Sequence, residues 1–242
     1  MYSAINHLIR KVEKTSRVSL NPRDLNKCMI EKFKYEKFST SESSISFASF
    51  VDDMLWSRIK GAVEGVCIEE GLVLKSNSII PNNLVRTSSH VIPEHLNGNV
   101  ISSMTYTVNI FSPEKESMIL VKITGKCYIG AEGELVPFLS KLPTESESTE
   151  ILSAFFKEVE DEKVMRPIMA QFRSHPVQVL LPLQLHLGED ANLLSSLKNG
   201  DYVLVQVKAK KYELFDKNVS LIGKVASLLH VYGEREEDDW ER

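Results

Sequence analysis

The chain has 242 residues, of which 43% are hydrophobic and 26% are charged, and its formal net charge at pH 7 is −4. This composition is typical of a globular protein, and the negative charge argues against a protein that coats nucleic acid by charge alone. No apolar run approaches the ~20 residues of a membrane-spanning helix, and the first residues lack the pattern of a signal peptide.

The cysteines and the charge distribution further limit which class of protein this chain can be. The chain contains three cysteines far apart in sequence: Cys28, Cys67 and Cys127. They predict reduced thiols inside a cell rather than a disulfide framework, so we expect a protein that is not secreted. Residues 145–162 and 234–242 are acidic, whereas 208–224 is rich in lysine. The lysine-rich stretch fits either a solvated strand face or a nucleic-acid contact.

The first third of the chain predicts mixed secondary structure. Residues 2–14 have a weak helical pattern, and 33–38 suggest a short strand. Residues 47–67 predict an amphipathic helix that ends at a glycine turn and continues as a strand to residue 75. The apolar residues that recur at helical spacing, and that we expect on one buried face, are Phe47, Phe50, Val51, Met54, Leu55, Ile59 and Val63. Gly65 lies at the turn, where glycine accepts a positive φ without a steric penalty.

The rest of the chain favours strands. Residues 76–98 are rich in Asn, Ser and Pro and predict mostly loop with short extended pieces. Apolar and polar residues then alternate from 99 to 111, and Pro113 ends the strand. The later extended runs are 118–129 and 135–139 around a glycine turn at 130–133, then 177–187, 202–211 and 219–229. Such short strands with little helix predict a small β-barrel. The acidic segment 144–175, with a helix expected at 151–159, reads as an insertion in that barrel.

The sequence offers no catalytic constellation. Its six histidines show no metal-binding spacing, and no two of its cysteines are separated by two residues, as in a Cys-x-x-Cys pair. Asp52 and Asp53 form an acidic pair in the first turns of a predicted helix, where carboxylates complement the helix dipole. His186 is expected to be a hydrogen-bonded structural residue. We therefore expect a binding or scaffold protein that is not an enzyme and needs no cofactor or metal.

Several motifs, taken in order, resemble one known family. They are the turn at 63–67 (Val-Glu-Gly-Val-Cys), the strand end at 106–113 (Tyr-Thr-Val-Asn-Ile-Phe-Ser-Pro), the hairpin at 120–139 and the late hairpin. In this order they are similar to the larger stalk subunit of archaeal and eukaryotic multisubunit DNA-directed RNA polymerases. The similarity covers about residues 32–142 and 176–232.

The resemblance implies an α+β fold with two domains. It implies a truncated RNP-like tip domain over 32–115, followed by an all-β, five-stranded OB-fold barrel over 116–233. The remaining parts would be an N-terminal extension at 1–31, the acidic insertion at 144–175 and an acidic tail at 234–242. In the family the tip docks on the polymerase core at the base of the clamp, and the barrel projects near the RNA exit path.

The same resemblance implies site residues. Val63, Glu64 and Gly65 would lie near the contact with the polymerase core, although Gly65 could serve only the turn and Val63 only the interior. OB barrels bind RNA through a basic groove and exposed aromatic residues. The residues that would bind RNA here are Lys122, Lys126, Tyr128, Phe138, Lys141, Lys208, Lys210, Lys211 and Tyr212. Expected partners are the large polymerase subunits, a smaller helical stalk subunit and nascent RNA, with no membrane.

This chain departs from the family pattern in three places. Cys127, Tyr128 and Ile129 replace the usual glycine and aromatic residue at the first barrel turn, so RNA stacking requires Tyr128 to point outward. The acidic insertion opposes phosphate binding, and the first thirty or so residues have no counterpart. Such divergence suits a specialised polymerase, for instance that of a large DNA virus, with a cytoplasmic or virion location instead of the nucleus.

Two other functions remain open at the level of sequence. One is a free-standing OB-fold RNA-binding protein, such as an RNA-decay or translation factor, which predicts a continuous basic groove. The other is an interaction adaptor that recruits partners without touching RNA. The stalk hypothesis differs from both because it predicts an exposed apolar patch on the tip.

Overall fold

The computed structural model describes residues 2–3, 5–38, 46–75, 80–91, 98–139, 157–158 and 162–229. Its internal contacts divide the chain into two compact units. The helical unit comprises Lys11–Glu64 and Asn77–Asn109, and the barrel unit comprises Met1–Arg10, Gly65–Ser76 and Ile110–Arg242. The predicted domain boundaries at 31, 115 and 233 stay predictions.

The elements in chain order are as follows. The strands are β1 (Tyr2–Ser3), β2 (Ile9–Leu20), β3 (Cys67–Ile68), β4 (Gly71–Val73), β5 (Ile80–Val91), β6 (Val100–Phe111), β7 (Met118–Cys127), β8 (Gly130–Leu135), β9 (Phe138–Leu139), β10 (Lys157–Glu158), β11 (Gln178–Pro182), β12 (Tyr202–Lys211) and β13 (Ser220–Leu229). The α-helices are α1 (Pro22–Phe38), α2 (Phe47–Val63), α3 (Glu162–Ser174) and α4 (Glu189–Ser196). The described residues therefore form a mixed α/β fold.

The barrel unit contains the predicted β-barrel. Strands β7, β8, β11, β12 and β13 close on themselves in the order β11-β13-β12-β7-β8. β11 pairs with β13 in parallel, and the other four pairs of neighbouring barrel strands are antiparallel. This connectivity is that of an OB-like barrel, so the predicted barrel is confirmed. Its inward residues are small or branched, such as Val121, Ala131 and Val205.

The hairpin at the start of the barrel is confirmed, but its predicted turn is wrong. The turn consists of Tyr128 and Ile129, whereas the glycines predicted to form it lie in β8. Gly133 is needed because strands approach closely there: an added Cβ would lie 2.5 Å from Val121 Cγ1 and 2.7 Å from the Lys122 carbonyl oxygen. The glycine therefore serves strand packing and not chain reversal.

Helix α3 lies between β8 and β11 in sequence, and its Gln171 side chain hydrogen-bonds to the backbone at the end of β4. The buried Gln171 amide donates from Nε2 to the Val73 carbonyl at 3.1 Å and accepts from the Lys75 N–H at 2.9 Å. The Phe172 ring packs edge-on against Phe111, with centroids 5.3 Å apart. The helix predicted at 151–159 is wrong at 157–158, which form β10 paired with β1. The rest of that prediction lies outside the described residues.

In the helical unit, α2 confirms the predicted amphipathic helix. It begins after Ser46, whose Oγ accepts the Ser49 N–H at 3.3 Å. Val51, Leu55 and Ile59 are buried on one face, as the helical spacing predicts. Along the chain, α2 gives way to the Gly65 turn.

Three other predictions for residues 1–98 are wrong in whole or in part. Of the residues 2–14 predicted as helical, only Asn6–Leu8 form a short 3-10 helix. Residues from Ile9 onward belong to β2, because polar residues such as Ser16 occupy inward positions and hide the alternation. Residues 33–38 belong to α1, whose start is fixed by a capping box rather than by its apolar residues. Residues 80–91 form the long strand β5 where mostly loop was predicted. Among the described residues β5 pairs only with β6, and a strand with one neighbour tolerates Pro81 and two register shifts.

Four hydrogen bonds hold the start of α1. Asn21 Oδ1 accepts the Asp24 N–H, and Asp24 Oδ2 accepts the Asn21 N–H, each at 3.0 Å. Arg58 on α2 donates to Asp24 Oδ2 and to the Ser19 carbonyl oxygen, each at 2.6 Å. Because the Asp24 side chain is only 9% exposed, it depends on these partners.

We therefore expect Asp24→Ala to lower the free energy of unfolding by about 2–3 kcal/mol, since it removes a cap and a buried charged acceptor together. Urea unfolding would measure the change. Asp53→Ala, at an exposed position of α2, is the matched control and should change stability by about 0.5 kcal/mol or less. Equal losses in the two variants would contradict the anchor role of Asp24.

Candidate nucleic-acid interface and docking segment

The predicted core-docking residues end α2 and form the following turn. Val63 and Glu64 are half-buried, and Gly65 is buried with φ 78°. The Gly65 N–H donates to the Val73 carbonyl at 3.1 Å, and an added Cβ would lie 2.4 Å from Lys75 Cε. Glycine is thus required at this turn by conformation. The docking role of Val63, Glu64 and Gly65 stays a prediction.

Past this turn, Cys67 is joined to the connection between β12 and β13. Its N–H donates to the Asp216 carbonyl at 2.6 Å, and its carbonyl accepts the Phe215 N–H at 2.8 Å. The thiol donates to the Asn218 carbonyl at 3.7 Å. Burial raises the pKa of the Cys67 thiol to about 11, and the Asp216 charge acts in the same direction. Cys67 is therefore a structural, protonated thiol.

Three of the predicted RNA-binding residues lie on β7 and its turn. Tyr128 is 95% exposed, so the aromatic ring points outward as RNA stacking requires. Lys126 is exposed, but its Nζ donates to the Ser195 carbonyl on α4 at 2.7 Å. Lys122 is half-buried in the middle of β7.

Four others lie at the end of β12. Lys208 forms an ion pair with Glu116 at 2.8 Å, and Lys210 donates to Ser112 Oγ at 2.7 Å. Burial lowers the pKa of Lys210, and the Arg10 charge acts in the same direction. Tyr212 donates to the Glu69 carbonyl at 2.9 Å and carries Lys210 Nζ 5.9 Å from its ring centre. Lys211 is exposed.

The last two predicted residues offer little to a ligand. Phe138 is half-buried and packs against the hydrophobic core. Lys141 lies outside the described residues.

The structure separates these residues into two groups. Gln206 of β12 pairs with Met118 at the start of β7, so Lys208 lies beyond that end of the strand. Lys126 is eight residues further along β7, which corresponds to about 26 Å of extended chain. Lys208 and Lys126 therefore lie far apart along the strand direction, whereas Lys211 lines the same depression as Thr124 of β7.

A shallow depression of about 280 Å³ lies on the outer face of β8, β11 and β13. β8 and β11 are the second and third barrel strands, the face through which OB folds bind oligonucleotides. Two exposed carboxylates, Glu132 and Glu134, line it together with a single lysine, Lys211. Sequence reasoning missed these carboxylates, although the alternation of 130–135 would have placed them on the outward face once β8 was recognised.

His186, a buried histidine of the barrel unit, has a structural role. His186 is buried, accepts the Val225 N–H at Nε2 (2.8 Å) and contacts the Pro182 carbonyl through Nδ1 (2.9 Å), which confirms the structural role predicted for it. Among the described residues, no three His, Cys, Asp or Glu side chains form a group that could hold a metal ion. Within the same residues, no helix is long and apolar enough to cross a membrane.

The chain matches no protein-family model. A search of curated proteins also finds no significant match.

The cysteine environments predict selective reactivity. Burial raises the pKa of Cys28 and Cys67, whereas Cys127 is exposed at the end of β7. A disulfide reagent at neutral pH should therefore label Cys127 rapidly and the other two only after unfolding. Labelling followed by peptide mass spectrometry would measure this, with Cys127→Ser as the control that removes the fast reaction. Rapid labelling of Cys67 in the folded protein would contradict its structural role.

Proposed function

We propose that this chain is a non-catalytic stalk subunit of a DNA-directed RNA polymerase. The observation that carries the proposal is the OB-like barrel, which follows a helix, a glycine turn and a strand in the order that the resemblance implies. In this proposal the N-terminal part is a truncated RNP-like tip that docks at the base of the clamp. The barrel, interrupted by the acidic insertion, stands near the RNA exit path.

An exposed apolar surface on α1 supports docking of the N-terminal part. Its members, with their exposed fractions, are Met29 (43%), Ile30 (45%) and Phe33 (62%), which share one side of the helix at helical spacing. Phe38 (78%) and Tyr35 (36%) are exposed on another side, where the Tyr35 ring contacts Phe50. Large exposed apolar groups on one helix mark a protein-binding surface more often than a solvent-facing one. The stalk hypothesis predicts such a surface, which the large polymerase subunits or a smaller helical stalk subunit would cover.

The barrel favours protein contacts over tight RNA binding. Tyr128 supports a stacking contact with transcript, but Glu132 and Glu134 would repel phosphate on the usual OB binding face. The free-standing RNA-binding protein is therefore the weaker alternative. An interaction adaptor without RNA contact is the stronger one, because the α1 surface fits it equally well.

Co-purification tests the stalk function directly. A tagged copy of the chain, expressed in its source, should recover the two largest polymerase subunits. Ile30→Ser with Phe33→Ser should reduce that recovery by about tenfold or more without lowering the melting temperature, because both side chains are exposed. Leu187→Ser, which changes a 77% exposed leucine in the barrel unit, is the control and should retain recovery. Failure of the unchanged chain to recover these subunits would refute the stalk function.

The RNA contact has a separate test on the purified protein. We expect Lys208→Glu, Lys210→Glu and Lys211→Glu together to lower crosslinking to single-stranded RNA. Glu132→Gln with Glu134→Gln should raise RNA affinity by about threefold to tenfold at low salt, since two charges that oppose phosphate are removed. Crosslinking would measure the first effect, and filter binding at two salt concentrations would measure the second. If neither variant changes binding, the barrel surface takes no part in RNA recognition.

A further inference from the structure

The solvent side of α1 carries a stripe of cations. Its positions are spaced alternately by four and three residues, so they follow one another along one side of the helix. The five positions are all exposed, and they are Arg23, Lys27, Ile30, Lys34 and Lys37. Because an α-helix rises 1.5 Å per residue, the stripe is about 21 Å long.

The acids of α1 do not neutralise this stripe. Asp24 is buried and binds Arg58, and Glu36 forms an ion pair with Lys32 at 3.4 Å. Glu31 is left as one exposed acid at the edge of the stripe. None of the four cations of the stripe takes part in an ion pair with another described residue. The stripe therefore presents an excess of positive charge to the solvent.

An apolar strip lies in the middle of the cationic stripe. Ile30 belongs to both, and Met29 and Phe33 lie beside it at helical spacing. Phe33 is 62% exposed, whereas Met29 and Ile30 are more than half covered by their own unit. The surface thus has an apolar centre with cations before and after it along the helix, which is the arrangement of an interface core with a charged rim.

This arrangement favours a protein over the other anionic partners. A nucleic-acid backbone would bind the cations but leave the apolar strip in water. Insertion into an anionic membrane surface requires apolar side chains that reach about 5–10 Å into the lipid, and side chains that are more than half covered do not project that far. An amphipathic helix with carboxylates along the edge of its apolar face covers the strip and complements the cations together.

We propose that α1 binds an acidic amphipathic helix of a neighbouring polymerase subunit. The apolar side of the partner helix covers Met29, Ile30 and Phe33, and its carboxylates pair with the cations of the stripe. To match the full length of the stripe, the partner helix needs about 14 residues with carboxylates near both ends. This inference rests on the proposed stalk function and specifies the chemistry of the contact.

A photocrosslinking residue in place of Phe33 identifies the partner. In the tagged chain, expressed in its source, it should attach to a polymerase subunit. Peptide mass spectrometry of the crosslinked product should place the attachment in a helical segment with carboxylates in at least two turns.

Charge reversal then tests the role of the cations. Arg23→Glu with Lys34→Glu should lower this crosslinking by about tenfold or more. The melting temperature should stay within about 3 °C, because both side chains are exposed and the helix dipole favours an acid at position 23. Lys115→Glu with Lys198→Glu, which reverses two exposed lysines of the barrel unit, is the matched control and should retain crosslinking.

A charge swap separates a lost contact from a lost fold. Replacing two carboxylates of the crosslinked segment by lysine should restore crosslinking to the charge-reversed chain, since the opposite charges then face each other again. Without restoration, the cations of α1 do not pair with that segment and the inference fails.

The outcomes distinguish this inference from the stalk function. If the unchanged chain recovers the polymerase subunits but the crosslinker attaches to RNA, to lipid, to the acidic residues 234–242 of a second copy or to a segment without carboxylates, the inference is refuted while the stalk function stands. Crosslinking that charge reversal leaves unchanged refutes it as well. If the unchanged chain recovers no polymerase subunit, the stalk function fails and this inference fails with it.

Discussion

Closure of the barrel is the constraint on which the rest of its surface depends. The parallel pairing of β11 with β13 gives all five strands a neighbour on both sides. The close approach at Gly133 permits this closure, because a side chain there would push β8 away from β7. A closed barrel has no free strand edge, so a ligand can bind only to its outer face or to its loops. The chemistry of those two surfaces therefore decides what the barrel can recognise.

The outer face and the loops differ in chemistry. The face formed by β8 and β11 carries carboxylates, and several lysines elsewhere on the barrel already bond to a protein group. A lysine that is paired in this way offers less charge to a phosphate than a free one. The loops instead present apolar side chains such as Tyr128 and Phe215. This distribution fits the proposed protein contacts of the barrel better than it fits a tight RNA contact.

The sequence predicted the elements whose side chains alternate or repeat without interruption. β12 has the predicted bounds, because apolar residues occupy its inward positions in an unbroken run. β2 was missed since serine and lysine take inward positions in it, and the Ser16 hydroxyl lies 2.8 Å from that of Tyr106. Glycine was ambiguous for a physical reason: turns and close strand contacts both require it, and only the three-dimensional pairing distinguishes the two. The hydrogen-bond partners of Lys126, Lys208 and Lys210 could not be predicted from the sequence. The partners of Lys208 and Lys210 are each more than 90 residues away along the chain.

The amide of Gln171 has a consequence for how this chain can be shortened. By bonding to the Val73 carbonyl and the Lys75 N–H, it acts as a one-residue substitute for a neighbouring strand. The segment that separates β8 from β11 in sequence is therefore not a dispensable loop. A truncated protein that joins these strands directly would leave the partly buried Lys75 N–H without its acceptor. Any minimal version of the barrel must keep α3 or redesign the end of β4.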